Sequence, residues 1–192
     1  MELTKNITNF VQIPLGYITE MLNEKSSLDI EIKPFKSRKY TWSWAGGVKH
    51  DREEMINKFS TAFPNGHFHS FNHHGGPLSP NKMMELYHDA IFVPAGLGCN
   101  NRLECFRVYE SMCGGSIPIV VGNKKIINET YYFNNDKPGI IYAETWDEAV
   151  EKCKDLLNKP EELEDMQKNI VNWWRNKILS IRSLIKDALN DN

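Results

Sequence analysis

"AIFVPAGLGCNNRLECFRVYESMCGGSIPIVVG", residues Ala90–Gly122, decides the fold. A short apolar run, "AIFVPAG", reads as a strand that ends in a glycine turn. "GLGCNN" reads as a loop, "NRLECFRVYESMCGG" as a helix stopped by glycine, and "SIPIVVG" as a strand buried on both faces. Two buried strands joined through a helix are expected to run parallel, since parallel neighbours need such a long crossover. Leu103, Phe106, Tyr109 and Met112 form the apolar stripe that would seat the helix on the sheet. The same helix would present Arg102, Glu104, Arg107 and Glu110. Arg107 and Glu110 are three apart, so their side chains leave one face together.

The pattern continues in both directions. Upstream, "YTWSWAGG" is an aromatic strand ending in glycines, and "HDREEMINKFSTAF" a helix with Asp51 placed to cap it. "HFHSFNHHGG" reads as a second strand with a glycine exit. "SPNKMMELYHDA" is a helix with Ser79 at the cap and Pro80 at its first position, where a missing N–H costs nothing. Downstream, "PGIIYA" is a strand and "TWDEAVEKCKDLLN" a helix. From Lys159 onward, Leu163, Met166, Ile170, Trp174 and Ile178 recur at helical spacing. "LDIEIKPF" alternates like a strand or extended arm stopped by Pro34, and "GNKKIINETYYFNNDKP" reads as a surface loop. The alternation predicts an α/β fold, a Rossmann-like parallel sheet with helices on both faces. Ligands of such sheets gather at the carboxyl ends of the strands. Three parts follow: an N-terminal arm over 1–40, the sheet domain over 41–158, and a helical segment over 159–192 that packs on it.

Bulk composition narrows the function classes. The chain has 192 residues, 41% apolar and 25% charged, and a net charge of -2. Those values suit one globular domain and give no basic field for nucleic acid. The N-terminus lacks a signal peptide's basic start and apolar core, and no run reaches the roughly 18 apolar residues of a membrane span. Cys99, Cys105, Cys113 and Cys153 show no C-x-x-C spacing and read as reduced thiols. The expectation is a soluble cytoplasmic protein.

Three segments could carry chemistry. "SWAGGVKHDRE" ends a strand in Gly46 and Gly47 and opens a helix, so backbone and helix terminus could approach a phosphate, with Lys49 and Arg52 adding charge. It lacks the lysine and hydroxyl of a P-loop. His67, His69, His73 and His74 invite a metal, yet no third ligand and carboxylate follow at fitting spacing, so none is expected. The Arg107/Glu110 pair, taken alone, is a surface ion pair worth roughly 0.2–0.5 kcal/mol. Its place between two strand exits makes it a candidate ligand site, since a Glu can accept both ribose hydroxyls and an Arg can fork onto phosphate oxygens.

"RVYESMCGGSIPIVV" resembles the signature of exostosin-type glycosyltransferases, carried by Arg107, Tyr109, Glu110, Gly114, Gly115, Ser116, Ile117, Pro118 and Ile119. "FVPAG", "YTWSWAGGVKHDREEMINKF" and "VQIPLGY" are similar to further segments of that family, in order, over roughly residues 9 to 175. Ser116 stands where the family often has Cys. The resemblance implies one half of a GT-B enzyme, the C-terminal domain that holds a nucleoside-diphosphate sugar, with a UDP-sugar favoured over a GDP-sugar. It implies donor-binding roles for Gly46, Gly47, Arg52, Pro94, Gly96, Arg102, Arg107 and Glu110, with Glu110 on the ribose and Arg107 and Arg52 near the diphosphate. No metal and no cofactor beyond the donor are implied, and transfer to a glycan or other hydroxyl acceptor would invert the sugar carbon. The general base would lie in an N-terminal acceptor domain or partner subunit that residues 1–40 are too few to supply, so the catalytic residue stays unknown. Two other readings remain open: a non-catalytic nucleotide-sugar-binding module, and a fucosyltransferase-like GT-B domain, whose corresponding segment looks alike. A phosphotransferase lacks both a phosphate loop and a carboxylate set for magnesium.

Overall fold

The computed structural model describes residues 13–16, 31–71, 76–131 and 138–190. Its centre is a five-stranded, wholly parallel sheet: β1 (Tyr40–Gly46), β2 (Gly66–Ser70), β3 (Ala90–Pro94), β4 (Ile117–Val121) and β5 (Ile141–Ala143). The order is β2-β1-β3-β4-β5. Trp42 lies opposite Gly66 and Phe92, Phe92 opposite Ile117, and Val121 opposite Ala143. The chain leaves β1 for one edge and returns past it to β3, so the direction of winding reverses between those two strands. In parallel sheets of this order the ligand crevice opens at that switch point.

Helices α1 (Arg52–Ala62), α2 (Pro80–Asp89), α3 (Phe106–Cys113), α4 (Lys124–Tyr131), α5 (Trp146–Leu157) and α6 (Pro160–Asn190) connect and cover the sheet. α1 packs on α5, whereas α3 packs between α2 and α6. β1 is therefore buried continuously from Trp42 to Gly46 rather than alternately, as a strand covered on both faces must be. The core runs through Trp42, Phe59, Phe92, Val108, Ile119 and Ile170. Ser79 caps α2 by accepting from the Lys82 amide, with Pro80 behind it. Thr145 caps α5 by accepting from the Glu148 amide, and the Glu148 carboxylate accepts from the amide of Glu144, the residue before the cap.

Four local readings change. "NKKIINETY" is a helix, not a loop: Asn123 Oδ1 accepts from the Lys125 and Ile126 amides, and Ile127 and Tyr131 bury one turn apart. α3 begins at Phe106 rather than near Asn101, because Asn100 and Asn101 take left-handed φ of 57° and Cys105 is extended. Arg102 and Glu104 therefore sit on a loop, and Phe106, read as part of the stripe, is exposed. Residues 31–34 have no regular structure, and the 28–30 part of the expected arm lies outside the described residues, as do His73 and His74. Asp51 precedes α1 but makes no side-chain cap, for a reason given below.

At the amino edge of the sheet one side chain joins five segments. Arg38, 8% exposed, donates from Nε to the Lys33 carbonyl and from Nη2 to that of Gly114. Its Nη1 reaches the carbonyls of Tyr87 (3.0 Å) and Ala90 (2.6 Å) and the Ser116 hydroxyl (3.1 Å). Burial pulls the Arg38 pKa down to about 10 and the nearby Asp89 carboxylate opposes it, so the group stays charged at neutral pH. Arg38→Ala would leave several buried carbonyls without donors, at ~1–3 kcal/mol each. We expect a loss of about 3 kcal/mol or more, read as a lower urea midpoint at unchanged slope. A loss below about 1 kcal/mol would show that the hub is redundant.

Candidate functional site

Trp44 is the floor of the carboxyl edge. It is fully buried and carries two guanidinium groups: Arg107 centred 5.4 Å from the ring and Arg52 at 5.8 Å. Each such contact is worth ~0.5–2 kcal/mol. The arginines are also tethered to backbone, Arg107 Nε to the Ala45 carbonyl (2.6 Å) and Arg52 Nη1 to that of Gly47 (2.8 Å). Two glycines make room for them. A Cβ on Gly46 would stand 2.2 Å from Arg107 Nη2, and one on Gly96 would stand 2.8 Å from Arg52 Cγ. These glycines let side chains reach the end of the sheet, whereas Gly47 faces open space.

Asp51 does not cap α1 because its oxygens are engaged across the edge. Oδ1 accepts from the Leu97 amide at 2.8 Å, and Oδ2 from Trp146 Nε1 at 3.1 Å. One carboxylate thus pins the exits of β1, β3 and β5 together. Around it opens a cavity of about 720 Å³, within the size range of small-molecule pockets. Its apolar wall includes Leu97, Val121, Ile126 and Trp146; Arg102, Asn101 and Asn123 add polar groups. The carboxylates of Asp51, Glu54, Glu104, Glu129 and Glu144 line it as well. Glu104 also accepts from the Tyr109 hydroxyl at 2.6 Å and from the Leu15 amide at 2.9 Å.

Arg107 and Glu110 line a second, smaller pocket of about 240 Å³ against Phe71, Leu78, Pro80 and Met83. Glu110 is only 2% exposed and accepts from the Tyr87 hydroxyl at 3.1 Å. It does not face bulk solvent. Arg102 therefore belongs to the large cavity and the Arg107/Glu110 pair to the small one. Arg52 lies beneath, against Trp44, and Pro94 is buried on the last rung of β3 opposite Ile119. His67 packs its ring near Tyr40, and His69 Nε2 lies 2.7 Å from the Gly76 carbonyl. Among the described residues no group of three or more His, Cys, Asp or Glu could hold a metal.

Sequence reasoning passed over Trp44 and Tyr87 and took Asp51 only for a helix cap. Trp44 and Gly46 do carry a signal, since residues two apart share one strand face and a large ring beside a bare backbone leaves room for a third group. Nothing local marks Tyr87 as the partner of a glutamate on another helix.

No family model and no curated protein matches the chain. Among solved structures it is similar to a crystal structure of the glycotransferase of kitacinnamycin. The match has 13% identity and a TM-score of 0.36, and covers 91% of this chain and 49% of that one. The chain thus spans about half the length of that protein. At this identity and score the likeness carries no argument about chemistry, and the α/β assignment stands on the sheet itself.

Two measurements probe this edge. Gly46→Ala must displace the Arg107 guanidinium and should destabilise by ~1–3 kcal/mol, with a change in Trp fluorescence, while Gly47→Ala should stay within about 0.5 kcal/mol. Equal effects would remove the space-making role. Burial, reinforced by the Glu110 charge, holds the Tyr87 hydroxyl well above its usual pKa; burial does the same for Tyr109 and Tyr131. A folded state that keeps these protons longer is fully stabilised below about pH 10 and loses that stability as pH rises further. Phenolate absorbance from these tyrosines should appear only together with loss of helical circular dichroism.

Proposed function

We propose that this domain binds a nucleoside-diphosphate sugar at the carboxyl edge of its sheet and serves sugar transfer to a hydroxyl acceptor. The observation that carries the reading is the convergence of Arg52 and Arg107 on Trp44 at the β1 exit, beside the cavity that holds Arg102. Fixed cations at the end of a parallel sheet suit a diphosphate, whose charge grows as the glycosidic bond breaks. Carboxylates lining the cavity suit the hydroxyls of ribose and sugar, because an ionised carboxylate only accepts hydrogen bonds. The exostosin-type resemblance of "RVYESMCGGSIPIVV" supports the same reading. It assigns Glu110 to the ribose and Arg107 to the diphosphate, with Gly46, Gly47, Pro94 and Gly96 lining the donor pocket. Glu110 would have to exchange its bond from Tyr87 for ribose hydroxyls.

A second reading uses the same cations without the chemistry of transfer. Here the domain binds the nucleotide sugar without transferring it, as a non-catalytic module or subunit that lacks an acceptor domain. Calorimetry with UDP and GDP decides the shared part. UDP should bind, more tightly than GDP, and Arg107→Ala should weaken it at least tenfold, as loss of a charged hydrogen bond does at ~1.5–3 kcal/mol. If neither nucleotide binds at millimolar concentration, the donor site is wrong. UDP binding without donor hydrolysis or transfer would select the second reading.

A further inference from the structure

The net charge of -2 hides a local imbalance along α6. Its first turns are acidic, with Glu161, Glu162, Glu164 and Asp165. From Asn169 to Asn190 they give way to Arg175, Lys177, Arg182 and Lys186 against the single carboxylate of Asp187. The apolar stripe does not stop where the charge changes. Leu163, Ile170, Trp174 and Ile178 are buried on the domain, and at the same spacing follow Ile181, Leu184, Ile185 and Leu189. Every residue from Arg182 to Asn190 is exposed, with Leu184 at 45%, Ile185 at 52% and Leu189 at 73%.

α6 starts from the amino edge, where Gln167 donates to the carbonyls of Lys33 and Gly115. It climbs past Trp174, which stacks on Tyr109. Residues 179–190 continue about 18 Å farther at the helical rise. An isolated helix of that length is marginal in water, so a stable one with bare Leu and Ile side chains needs a cover. Arg182 and Lys186, one turn apart, edge the stripe on one side and Lys177 edges it on the other. Among the described residues neither Arg182 nor Lys186 forms an ion pair. An apolar stripe bordered by cations is complementary to an anionic lipid surface, where the stripe enters the acyl boundary and the cations meet the headgroups. Among the described residues no helix is long and apolar enough to cross a membrane, so the helix would lie on the surface.

We infer that residues 179–190 of α6 dock the protein peripherally on an anionic lipid surface. The test is co-sedimentation of the full chain with vesicles of phosphatidylcholine containing about one-third phosphatidylglycerol, against pure phosphatidylcholine vesicles. Binding should require the anionic lipid and weaken with salt. Arg182→Ala with Lys186→Ala should lower it about twenty-five-fold, from roughly fivefold per cation. Ile185→Glu with Leu189→Glu should abolish it. These side chains are exposed, so the urea midpoint should stay that of the parent. No binding, equal binding to neutral vesicles, or binding that survives both double variants overturns the proposal. So does sedimentation velocity showing a dimer that the Ile185/Leu189 variant dissolves, because the cover would then be a second copy. None of these outcomes depends on nucleotide binding.

Discussion

The buried Arg38 guanidinium is the constraint on which the rest of this architecture depends. A parallel sheet brings the starts of its strands and the ends of its helices to one edge, which leaves carbonyls of both kinds unmet. Arg38 collects those of Tyr87 and Gly114 at the ends of α2 and α3, with that of Ala90 at the start of β3. Ser116 lies against two of the same carbonyls. Close by, Gly115 adopts a left-handed φ of 70°, and a Cβ there would stand 2.5 Å from Ile32. With one edge fixed in this way, the opposite edge can hold open loops without loosening the strands.

The two edges solve their electrostatics in opposite ways. At the amino edge one cation meets many carbonyls. At the carboxyl edge Asp51 joins three strand exits, and two arginines lie over one tryptophan while most charges lining the large cavity are negative.

The fold was legible because its signals are local. β-branched and aromatic runs such as "SIPIVV" and "AIFVP" can only be buried strands in this setting, and glycines mark their exits. α4 escaped because it is short, buries little besides Ile127 and Tyr131, and its apolar residues lie among Asn, Lys and Glu that also suit a loop. The start of α3 escaped because asparagine tolerates the left-handed backbone that delays it. Spacing put Arg107 and Glu110 on one face, and both do line one pocket. It could not show that Arg107 would reach across to β1, or that Glu110 would meet a tyrosine from α2. Such contacts depend on which strands become neighbours. The space beside Gly46 shows the same limit: a bare backbone invites close approach, and only the fold shows that Arg107 lies against it.

The meeting of Lys33, Gly115 and Gln167 has a consequence for biosynthesis. β1 cannot pair with its inner neighbour β3 until α1, β2 and α2 have been made. The face of α3 bearing Tyr109 and Cys113 stays uncovered until Trp174 arrives. Non-local pairings of this kind close slowly. A nascent chain would therefore carry an assembled but half-naked sheet while α6 is still being translated, the interval in which a chaperone has most to hold.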